Sequence, residues 1–431
     1  MSIEKRSIYI KKGTFIYLCD YNFIINKEIE KEFIKYKRFR KIEVRDIIIS
    51  RSKLSREVKK IRQLQFEVTQ NCNLNCKYCV YGEHYDRRKK AKKELEYKTA
   101  KAAIDYVFNI ISKRYKKEFD ISFYGGEPLL NFETIEKIVE YAKNKFINWK
   151  INFHITTNGT LLDKKKINFF IKNNFHVLIS LDGPKEIHDE KRIYAHGKGS
   201  FRKIMLNLNE LRDTNENFYN KNISFSSVWS FDLSLKKIYD FYTKEELVKY
   251  NEILLSPLDP GTKSYFKEYT FDKEKKMKEF SNIINLIENK KKKKIKINTF
   301  EYNILGIHNS IENMLFKRFF TTLYGTCLFN LKVFLDVDGF FHICHMVEES
   351  WPIGDAWNGL NFNKMKELSD KFIYLNKVYC NNCKYKFLCR RCFAQSIKKG
   401  KINIKNFSCE NRKKSIQEQL ERYVNYKIKY K

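Results

Sequence analysis

The chain reads Asn71-Cys72-Asn73-Leu74-Asn75-Cys76-Lys77-Tyr78-Cys79 directly after a strand-like segment. Three thiolates this close in sequence can bind three irons of a cubane cluster and leave the fourth iron without a protein ligand. An open metal position is where a substrate or cofactor binds, so the spacing indicates chemistry rather than structure. The alternative is a structural zinc site, which needs a fourth ligand nearby, and His84 is the nearest candidate.

The spacing C-x-x-x-C-x-aromatic-C after a strand resembles the signature of the radical S-adenosylmethionine (SAM) enzymes. The resemblance implies a [4Fe-4S] cluster on Cys72, Cys76 and Cys79, whose open iron binds the amino and carboxylate groups of SAM. In that family, reduction of the cluster cleaves SAM to a 5′-deoxyadenosyl radical, which abstracts hydrogen. By the same resemblance, Tyr78 lies beside the adenine of SAM.

Composition favours a soluble, cytoplasmic protein of more than one domain. At 431 residues the chain is long for one domain, and 43% hydrophobic residues supply a substantial core. No window reaches the apolar length of a membrane span. The net charge of +34 suits an acidic partner such as nucleic acid. However, the lysines are spread along the chain and accompany abundant Ile, Asn, Phe and Tyr, as in an AT-rich genome, so a nucleic-acid function is not favoured.

Ten of the eleven cysteines fall in spaced groups. In a reducing cytosol such groups are interpreted as metal ligands rather than disulfides. Cys19 stands apart, and we interpret it as a small buried hydrophobic residue.

Residues 64–255 alternate short apolar runs with amphipathic stretches, the rhythm of a parallel α/β sheet or barrel. The predicted strands are residues 64–69, 119–124, 151–156, 175–181, 222–228 and 252–255, with helices between them, for example at 97–112 and 132–146. Active sites of such barrels lie at the C-terminal strand ends. The cysteine loop follows the first predicted strand at that end.

Gly125-Gly126-Glu127-Pro128 follows the second predicted strand and matches the second signature of the radical SAM family. The resemblance implies that Gly125 and Gly126 let the backbone approach the methionine part of SAM. It also implies that Glu127 accepts a bond from the SAM ammonium group. Taken alone, the motif is equally compatible with an ordinary turn between strand and helix.

Polar residues end the next two strands and extend the resemblance. Thr157 and Asn158 are similar to residues that face SAM in the family, while Ser180 and Asp182 would bond its ribose. Arg192 would pair with the SAM carboxylate. Asn-Gly and Asp-Gly are also common turn dipeptides, and a solvated surface arginine is the alternative for Arg192.

The order FYGGEPLLNF, TTNGTLL, SLDGP, HDEKR and GKGSF is similar to the peptide-modifying branch of this superfamily. The similarity spans residues 64–255 and implies a peptide substrate. One departure is Tyr124, where the sulfatase maturases often have Gln.

Seven further cysteines lie in the C-terminal part of the chain: Cys327, Cys344, Cys380, Cys383, Cys389, Cys392 and Cys409. On the four central cysteines alone, a zinc ribbon of two C-x-x-C knuckles is favoured. The wider pattern, with Gly339 between Cys327 and Cys344 and a trailing Cys409, resembles the SPASM domain. That domain binds two auxiliary iron–sulfur clusters.

The resemblance assigns Cys327, Cys344 and Cys392 to a first auxiliary cluster, and Cys380, Cys383, Cys389 and Cys409 to a second. Two residues separate Cys389 from Cys392 where the family usually has three, which weakens the assignment of Cys392. No cysteine stands shortly before Cys327, so the first cluster would have three thiolates and an open iron unless another group completes it. An open iron there would capture a substrate thiolate.

The sequence predicts four segments: an N-terminal hairpin and helix at 1–60, the radical SAM barrel at 61–260, a helical bridge at 261–324 and the SPASM domain at 325–431. The first segment is expected to be a cap on the barrel or a reduced leader-binding module. We also expect a charged helix from Lys27, bridge helices at 273–289 and 301–324, a hairpin turn at 336–339 and a closing helix at 411–423.

Together these features predict an α/β fold, a partial (β/α) barrel of the radical SAM type with a small C-terminal cysteine-rich domain. The predicted function is a cytoplasmic maturase of a ribosomally made peptide, with SAM and three [4Fe-4S] clusters as cofactors. Its partners would be the precursor peptide and a low-potential electron donor such as flavodoxin or ferredoxin. We expect Cys thioether crosslinks, ahead of carbon–carbon crosslinks and epimerisation. Two alternatives stay open: an anaerobic sulfatase-maturating enzyme forming formylglycine, and a zinc-stabilised nucleic-acid-binding protein.

Overall fold

The computed structural model of the chain describes residues 7–10, 15–29, 42, 44–46, 48–82, 91–113, 117–230, 232–258, 273–308, 310–315, 317, 320–321, 332–389, 392–398, 401–402 and 409–429. The chain forms two compact units. The terminal unit comprises Met1–Leu54, Leu305–Leu328 and Asn363–Lys431, and the sheet unit comprises Ser55–Ile304 and Phe329–Phe362. The division into four segments remains a prediction.

The sheet unit is built on one ten-stranded sheet. Six parallel strands lie side by side in chain order: β1 Gln63–Thr69, β2 Glu118–Gly125, β3 Lys150–Thr157, β4 His176–Ser180, β5 Ile223–Trp229 and β6 Glu252–Pro257. β7 (Lys332–Leu335) pairs parallel with β1, and three antiparallel strands continue beyond it: β8 Phe340–His342, β9 Gly354–Asp355 and β10 Gly359–Leu360. The carboxyl ends of the first six strands share one edge, which confirms the predicted partial (β/α) barrel.

Helices connect these strands and follow the last parallel one: α1 Tyr97–Ile111, α2 Phe132–Lys145, α3 Lys164–Lys172, α4 Lys185–Lys191, α5 Phe201–Thr214, α6 Glu216–Asn222, α7 Leu235–Lys244, α8 Lys273–Lys292 and α9 Thr299–His308. In α1 the buried positions Ala100, Ala103, Ile104, Val107 and Ile111 recur at helical spacing, as an amphipathic helix on a sheet requires. The predicted strands, and the two helices given as examples, agree with these bounds within two residues.

The two faces of the sheet differ in chemistry. On the face that the helices cover, Phe123 stacks between Phe66 and Phe175, with ring centroids 6.1 and 5.9 Å apart, and all three side chains are buried. Burying a side chain of this size contributes about 1.5–3 kcal/mol. Alternate residues of the same strands, such as Gln65 and Ser122, lie on the opposite, inward face.

Strand β6 is the outermost parallel strand. Two side chains of α9 form hydrogen bonds with the backbone at its open edge. Thr299 Oγ1 accepts a hydrogen bond from the backbone N–H of Ile253 at 3.2 Å, and Asn303 Nδ2 donates to the Ile253 carbonyl at 2.7 Å. An edge with unpaired backbone groups is a template for pairing with another chain. The helix therefore supplies hydrogen-bond partners for the backbone N–H and C=O of Ile253, as a further strand would.

The terminal unit joins both ends of the chain. Its strands Ser7–Ile10, Phe15–Leu18 and Phe23–Asn26 form an antiparallel sheet, and its two long helices are Phe362–Cys380 and Cys409–Lys429. The smaller elements are strands Val44–Arg45 with Phe320–Thr321 and Ile397–Lys398 with Lys401–Ile402, helices Arg51–Val58 (shared with the sheet unit) and Ser310–Leu315, and short 3₁₀ turns at Lys27–Ile29 and Phe393–Ser396.

The core of the terminal unit lies between the N-terminal sheet and the C-terminal helix. Ile10 and Tyr17 pack with Leu388 and Leu420, and Cys19 is buried in the same cluster at 5% exposure. The described N-terminal strands thus pack on the helix Cys409–Lys429, whereas their role as a cap or a leader-binding module remains a prediction. The closing helix expected at 411–423 is present and longer.

Two helix predictions in this part of the chain were wrong in extent. The helix expected at 301–324 is present as Thr299–His308 and Ser310–Leu315, but Phe320–Thr321 is a strand because it pairs with Val44–Arg45. The helix expected from Lys27 begins as a single 3₁₀ turn, Lys27–Ile29, and its continuation lies outside the described residues. Among the described residues, no helix is long and apolar enough to cross a membrane.

Replacing Asn303 with Ala should destabilise the sheet unit by about 1 kcal/mol, because the carbonyl of Ile253 loses its hydrogen bond. Asn282→Ala is the matched control, since Asn282 is an exposed helical asparagine and both changes gain the same helix propensity. Urea denaturation of the two variants measures the difference. Equal midpoints would show that α9 does not stabilise the edge of β6.

Candidate active site

The cysteine loop, residues 70–82, leaves the carboxyl end of β1 and is held by backbone hydrogen bonds on two sides. On one side the N–H of Glu127 donates to the Asn71 carbonyl at 2.8 Å. On the other side the N–H groups of Asn75 and Lys77 donate to the carbonyls of Ile193 and Lys191, at 2.7 and 2.9 Å. The loop therefore lies between the turn after β2 and the segment after α4.

Gly125 and Gly126 are required by this approach of the two loops. A Cβ on Gly125 would stand 2.3 Å from the Thr69 carbonyl oxygen, and a Cβ on Gly126 would stand 2.1 Å from that of Asn71. Gly125 also has a φ of +138°, which side chains rarely adopt. The chain itself thus needs both glycines, while their predicted contact with SAM remains a prediction.

The three cysteines of the loop are half-buried and influence one another. Burial raises the pKa of the Cys76 thiol to about 12, Arg192 lowers it, and the neighbouring thiolates of Cys79 and Cys72 raise it further. Three thiolates this close repel one another, so their ionised forms need a nearby cation. This donor set suits iron, whose charge deprotonates coordinated thiols.

Tyr78 of the cysteine loop forms one buried group with Asp182 and Arg192. The Tyr78 hydroxyl donates to Asp182 Oδ2, Arg192 Nε donates to the same oxygen at 2.9 Å, and the backbone N–H of Val228 donates to Oδ1 at 3.0 Å. The Arg192 guanidinium also lies 5.3 Å from the centre of the Tyr78 ring. The side chains expected to contact SAM at three different points are therefore bonded to one another, and their contacts with SAM remain predictions.

Behind this group lies a histidine that sequence reasoning missed. His188 Nδ1 accepts from the Asp182 N–H at 3.3 Å, and its Nε2 lies 2.9 Å from Ser200 Oγ, which in turn donates to the Arg192 carbonyl. Burial lowers the pKa of His188 to about 4, so the ring is neutral. In the sequence, this histidine was part of the run His188 to Arg192, from which only Arg192 was predicted to be a site residue.

Glu127 connects the turn after β2 with the end of β3. Its buried carboxyl group accepts from the Leu129 N–H at 3.0 Å, the Thr157 hydroxyl at 2.7 Å and the Asn158 N–H at 2.7 Å. Burial raises the pKa of Glu127 to about 7, although these hydrogen bonds lower it. A bond from the SAM ammonium group to Glu127 remains a prediction.

Asn158 connects Glu127 with the cysteine loop. Its Nδ2 donates to Asn73 Oδ1 at 2.8 Å and stands 4.0 Å from the sulfur of Cys72. Ser180, at the end of β4, is half-buried and pairs in register with Ser226. Of the residues predicted from sequence, Glu127, Thr157 and Asn158 thus join the cysteine loop through the chain itself.

Glu67, on the inward face of β1, is a second connection that sequence reasoning missed. Its fully buried carboxylate accepts from the Tyr81 hydroxyl at 2.7 Å, Gln70 Nε2 at 3.3 Å and the Val337 N–H at 3.2 Å. Gln70 and Tyr81 flank the three cysteines in sequence, so one carboxylate holds both ends of the loop. Val337 lies in the predicted 336–339 turn, which joins β7 and β8 as expected.

The remaining cysteines are distributed over both units. Cys344 follows β8 in the sheet unit, while Cys380, Cys383, Cys389, Cys392 and Cys409 belong to the terminal unit, and Cys327 lies outside the described residues. In the terminal unit the N–H of Cys383 donates to the Cys380 carbonyl at 3.0 Å, as in a knuckle turn. The two auxiliary ligand sets remain predictions.

Within the described part of the chain, no three His, Cys, Asp or Glu side chains converge as ligands of a single metal ion. The assignment of Cys72, Cys76 and Cys79 to a cluster rather than to zinc rests on their spacing in sequence and remains a prediction. His84, the candidate fourth zinc ligand, lies outside the described residues.

Residues 66–222 match the Radical SAM superfamily. Among relatives, the radical SAM cyclopropyl synthase TigE of Paramaledivibacter caminithermalis is 29% identical over 332 residues, which cover 73% of this chain and 64% of TigE. The cysteine-type anaerobic sulfatase-maturating enzyme of Clostridium perfringens (strain 13 / Type A) is 28% identical over 374 residues, which cover 82% of this chain and 95% of that enzyme. Residues 66–222 are thus a radical SAM domain, and domains of this family use a [4Fe-4S] cluster and SAM.

The fold agrees with a solved structure described as native anSMEcpe with bound AdoMet and Cp18Cys peptide. The TM-score is 0.59 at 23% identity, and the match covers 85% of this chain and 99% of that one. At this identity the likeness establishes the fold alone. Because the chain spans 64% of TigE, less than two thirds, the activity and substrate of the whole protein are proposals.

Replacing Glu67 with Ala should destabilise the sheet unit by about 2–4 kcal/mol, because three buried donors lose their acceptor. We also expect fewer iron atoms per chain, because both ends of the cysteine loop lose their anchor. Anaerobic urea denaturation and iron analysis measure the two effects. Glu94→Ala, at an exposed carboxylate, is the control, and a Glu67 variant that behaves like it would remove the anchoring role.

The raised pKa of Glu127 should make stability fall as pH rises. Folding favours the protonated form, so its stabilisation is complete below the ordinary pKa of 4.5 and is lost as pH rises through about 7. The loss amounts to about 3 kcal/mol. Glu127→Gln should have a lower stability throughout, because its amide faces the Asn158 N–H, and should lack this pH slope. Urea denaturation between pH 4.5 and 7.5 compares the slopes, and equal slopes would contradict the assignment.

Proposed function

We propose that the protein is a radical SAM peptide maturase. The observation that carries this proposal is the cysteine loop at the carboxyl end of β1, bonded to the glycine turn after β2 through Glu127. The family match over residues 66–222 supports the chemistry, and the similarity to TigE and to a sulfatase maturase supports a peptide or protein substrate. The cytoplasm is the proposed location.

In this proposal Cys72, Cys76 and Cys79 bind the [4Fe-4S] cluster. When bound, the cluster supplies the electron that cleaves SAM to methionine and a 5′-deoxyadenosyl radical. The chain holds the loop by backbone hydrogen bonds and presents polar groups at the strand ends. The proposed neighbours of SAM are Tyr78, Gly125, Gly126, Glu127, Thr157, Asn158, Ser180, Asp182 and Arg192.

The C-terminal cysteines are proposed to hold two auxiliary clusters. Cys327, Cys344 and Cys392 would serve the first, and Cys380, Cys383, Cys389 and Cys409 the second. The cysteine count supports this, since a single zinc ribbon needs only four of them. Three thiolates on the first cluster would leave an iron for a substrate thiolate, which suits chemistry at a peptide Cys.

The proposed product is a thioether between a peptide Cys and a carbon of the same peptide. The S–H and C–H bonds break and one C–S bond forms. One hydrogen atom leaves in 5′-deoxyadenosine, and the other leaves as a proton and an electron. An auxiliary cluster bound by the C-terminal cysteines would supply the acceptor for that electron. Each crosslink therefore lowers the peptide mass by two hydrogens and removes one thiol.

Two other products have support of their own. The similarity to TigE, a cyclopropyl synthase, favours carbon–carbon bond formation, which also removes two hydrogens but keeps every thiol. The similarity to sulfatase-maturating enzymes equally supports formylglycine formation on a Cys or Ser. Tyr124, where sulfatase maturases often have Gln, favours the peptide crosslink.

A zinc-stabilised nucleic-acid-binding protein is the alternative from another class, favoured only by the net charge of +34 and the C-x-x-C knuckles. Iron and acid-labile sulfide analysis separates the two readings. Three clusters contain about twelve iron and twelve sulfide per chain, whereas the alternative contains zinc and no sulfide. The basic surface also suits an acidic electron donor such as flavodoxin or ferredoxin, which we propose as a partner.

The deciding experiment is anaerobic co-expression with a candidate short Cys-containing peptide, sought in the neighbouring reading frames, followed by mass spectrometry. A mass lower by pairs of hydrogens, with fewer alkylatable thiols after reduction, supports thioether crosslinks. The same mass loss with all thiols intact supports carbon–carbon bonds. An unchanged mass counts against any crosslink and leaves epimerisation, another peptide or a sulfatase-type substrate. Chiral amino-acid analysis tests for epimerisation, and a synthetic Cys-containing sulfatase peptide tests the sulfatase-type substrate.

Cys76→Ala should abolish SAM cleavage, because the cluster loses one of three ligands, and should lower iron content. Cys383→Ala should keep SAM cleavage but stop peptide modification. Cys19→Ala, in the core of the terminal unit, is the control and should keep both. Assays of 5′-deoxyadenosine, iron and peptide mass measure the three variants. Full peptide modification by the Cys383 variant would exclude the proposed role of the second auxiliary cluster.

A further inference from the structure

The inward face of β1 to β4 carries a row of four hydrogen-bonding side chains. Strand register places Gln65 beside Ser122, Ser122 beside His154, and His154 beside His176. Closed (β/α) barrels fill such rows with branched apolar side chains that pack into a core. This row has no apolar member, so it is unsuited to a dry core.

The next row toward the amino ends of the strands is also polar, and its carboxylate is already bonded. Asn152 Nδ2 donates to Asp120 Oδ1 at 2.8 Å, and His154 Nε2 lies 3.7 Å from the same oxygen. Burial raises the pKa of Asp120, but the bonds from His154 and Asn152 lower it by more. Asp120 is therefore a stabilised anion.

The two histidines are accessible and lie ring against ring. Their centroids are 5.1 Å apart at 19° between planes, the His154 side chain is 37% exposed, and His176 is exposed. Burial and the neighbouring His154 lower the pKa of His176. A neutral imidazole offers one donor and one acceptor, as a peptide group does.

This face is continuous with the candidate active site. Thr156 lies two residues above His154 on the same face of β3, about 7 Å along the strand, and is followed by Thr157 at the site. On the side of β1 the ring of Tyr124 packs on His345 at 4.5 Å, and His345 Nδ1 lies 3.1 Å from Gln65 Oε1. Polar groups thus lead from the strand ends to the histidine pair.

We propose that this surface, the polar trough of Gln65, Ser122, His154 and His176, binds an uncharged polar segment of the substrate peptide in extended form. The accessible imidazoles of His154 and His176 complement the N–H and C=O groups of a peptide backbone. Gln65 and Ser122 form the buried floor of the trough, where they are hydrogen-bonded to His345 and Gln63. An acidic segment would meet the anion of Asp120, and a basic segment would find that anion already bonded. The proposal deepens the proposed function and rests on it for the identity of the substrate as a peptide.

Histidine footprinting tests the trough without relying on turnover. Diethylpyrocarbonate modifies neutral imidazoles, and mass spectrometry reads the rate at each histidine of the anaerobic, SAM-loaded holoenzyme. The probes are three short synthetic peptides: one of Ser, Asn and Gly, one rich in Glu and one rich in Lys. The uncharged peptide should slow modification of His176 about threefold when it occupies two thirds of the protein. His196, exposed outside the trough, should react at its original rate.

Equal or stronger protection by the Glu-rich or Lys-rich peptide would overturn the assigned chemistry, and no protection by any peptide would overturn the trough. His176→Leu adds a kinetic test, since it should raise KM for the peptide about tenfold with a smaller effect on kcat. His196→Leu is the control. Absence of SAM cleavage by the unaltered enzyme would instead refute the proposed function, while the footprint would still report on the trough.

Discussion

The close approach of two backbones decides the architecture of the candidate site. The backbone at Gly125 and Gly126 passes so near the end of β1 and the start of the cysteine loop that a Cβ on either glycine would overlap a carbonyl oxygen, that of Thr69 or that of Asn71. The bond between the Glu127 N–H and the Asn71 carbonyl holds the contact. This contact places the start of the cysteine loop beside the ends of β2 and β3, where Glu127 and Asn158 reach it.

A buried carboxylate on each side extends this backbone contact. Glu127 joins the glycine turn to Thr157 and Asn158, and Glu67 joins both ends of the loop to the β7–β8 turn. A buried acceptor with several donors is costly to remove, because each donor then loses its partner in a medium of low polarity. These two networks therefore fasten the loop to the sheet unit at several points.

The fold and the cysteine loop were predictable from the sequence because both are local patterns. Alternating apolar runs predict strands and helices, and a short spacing of cysteines predicts a shared cluster. The Glu67 network was not predictable, since its donors stand at positions 70, 81 and 337, and only strand pairing between β1 and β7 brings the last of these near. The same holds for Asp182: its bonds to Tyr78 and Arg192 depend on how the loops after β1 and β4 meet. The strand at Phe320–Thr321 was missed for a related reason, because its partner lies near the start of the chain.

Burial around the site favours the neutral forms of ionisable groups, and this affects the ionisation of the cysteine thiols. Burial raises the pKa of Cys76 to about 12 and that of Glu127 to about 7, and it lowers that of His188 to about 4. The charged pair of Asp182 and Arg192 persists there because each group neutralises the other. Three neighbouring thiolates repel one another, and at Cys76 the effect of burial exceeds the opposing effect of Arg192, so a bound metal would favour their ionised forms. Metal binding must therefore supply the free energy that ionises them, and the same binding stabilises the folded loop, because the ligands are brought together only in the folded state.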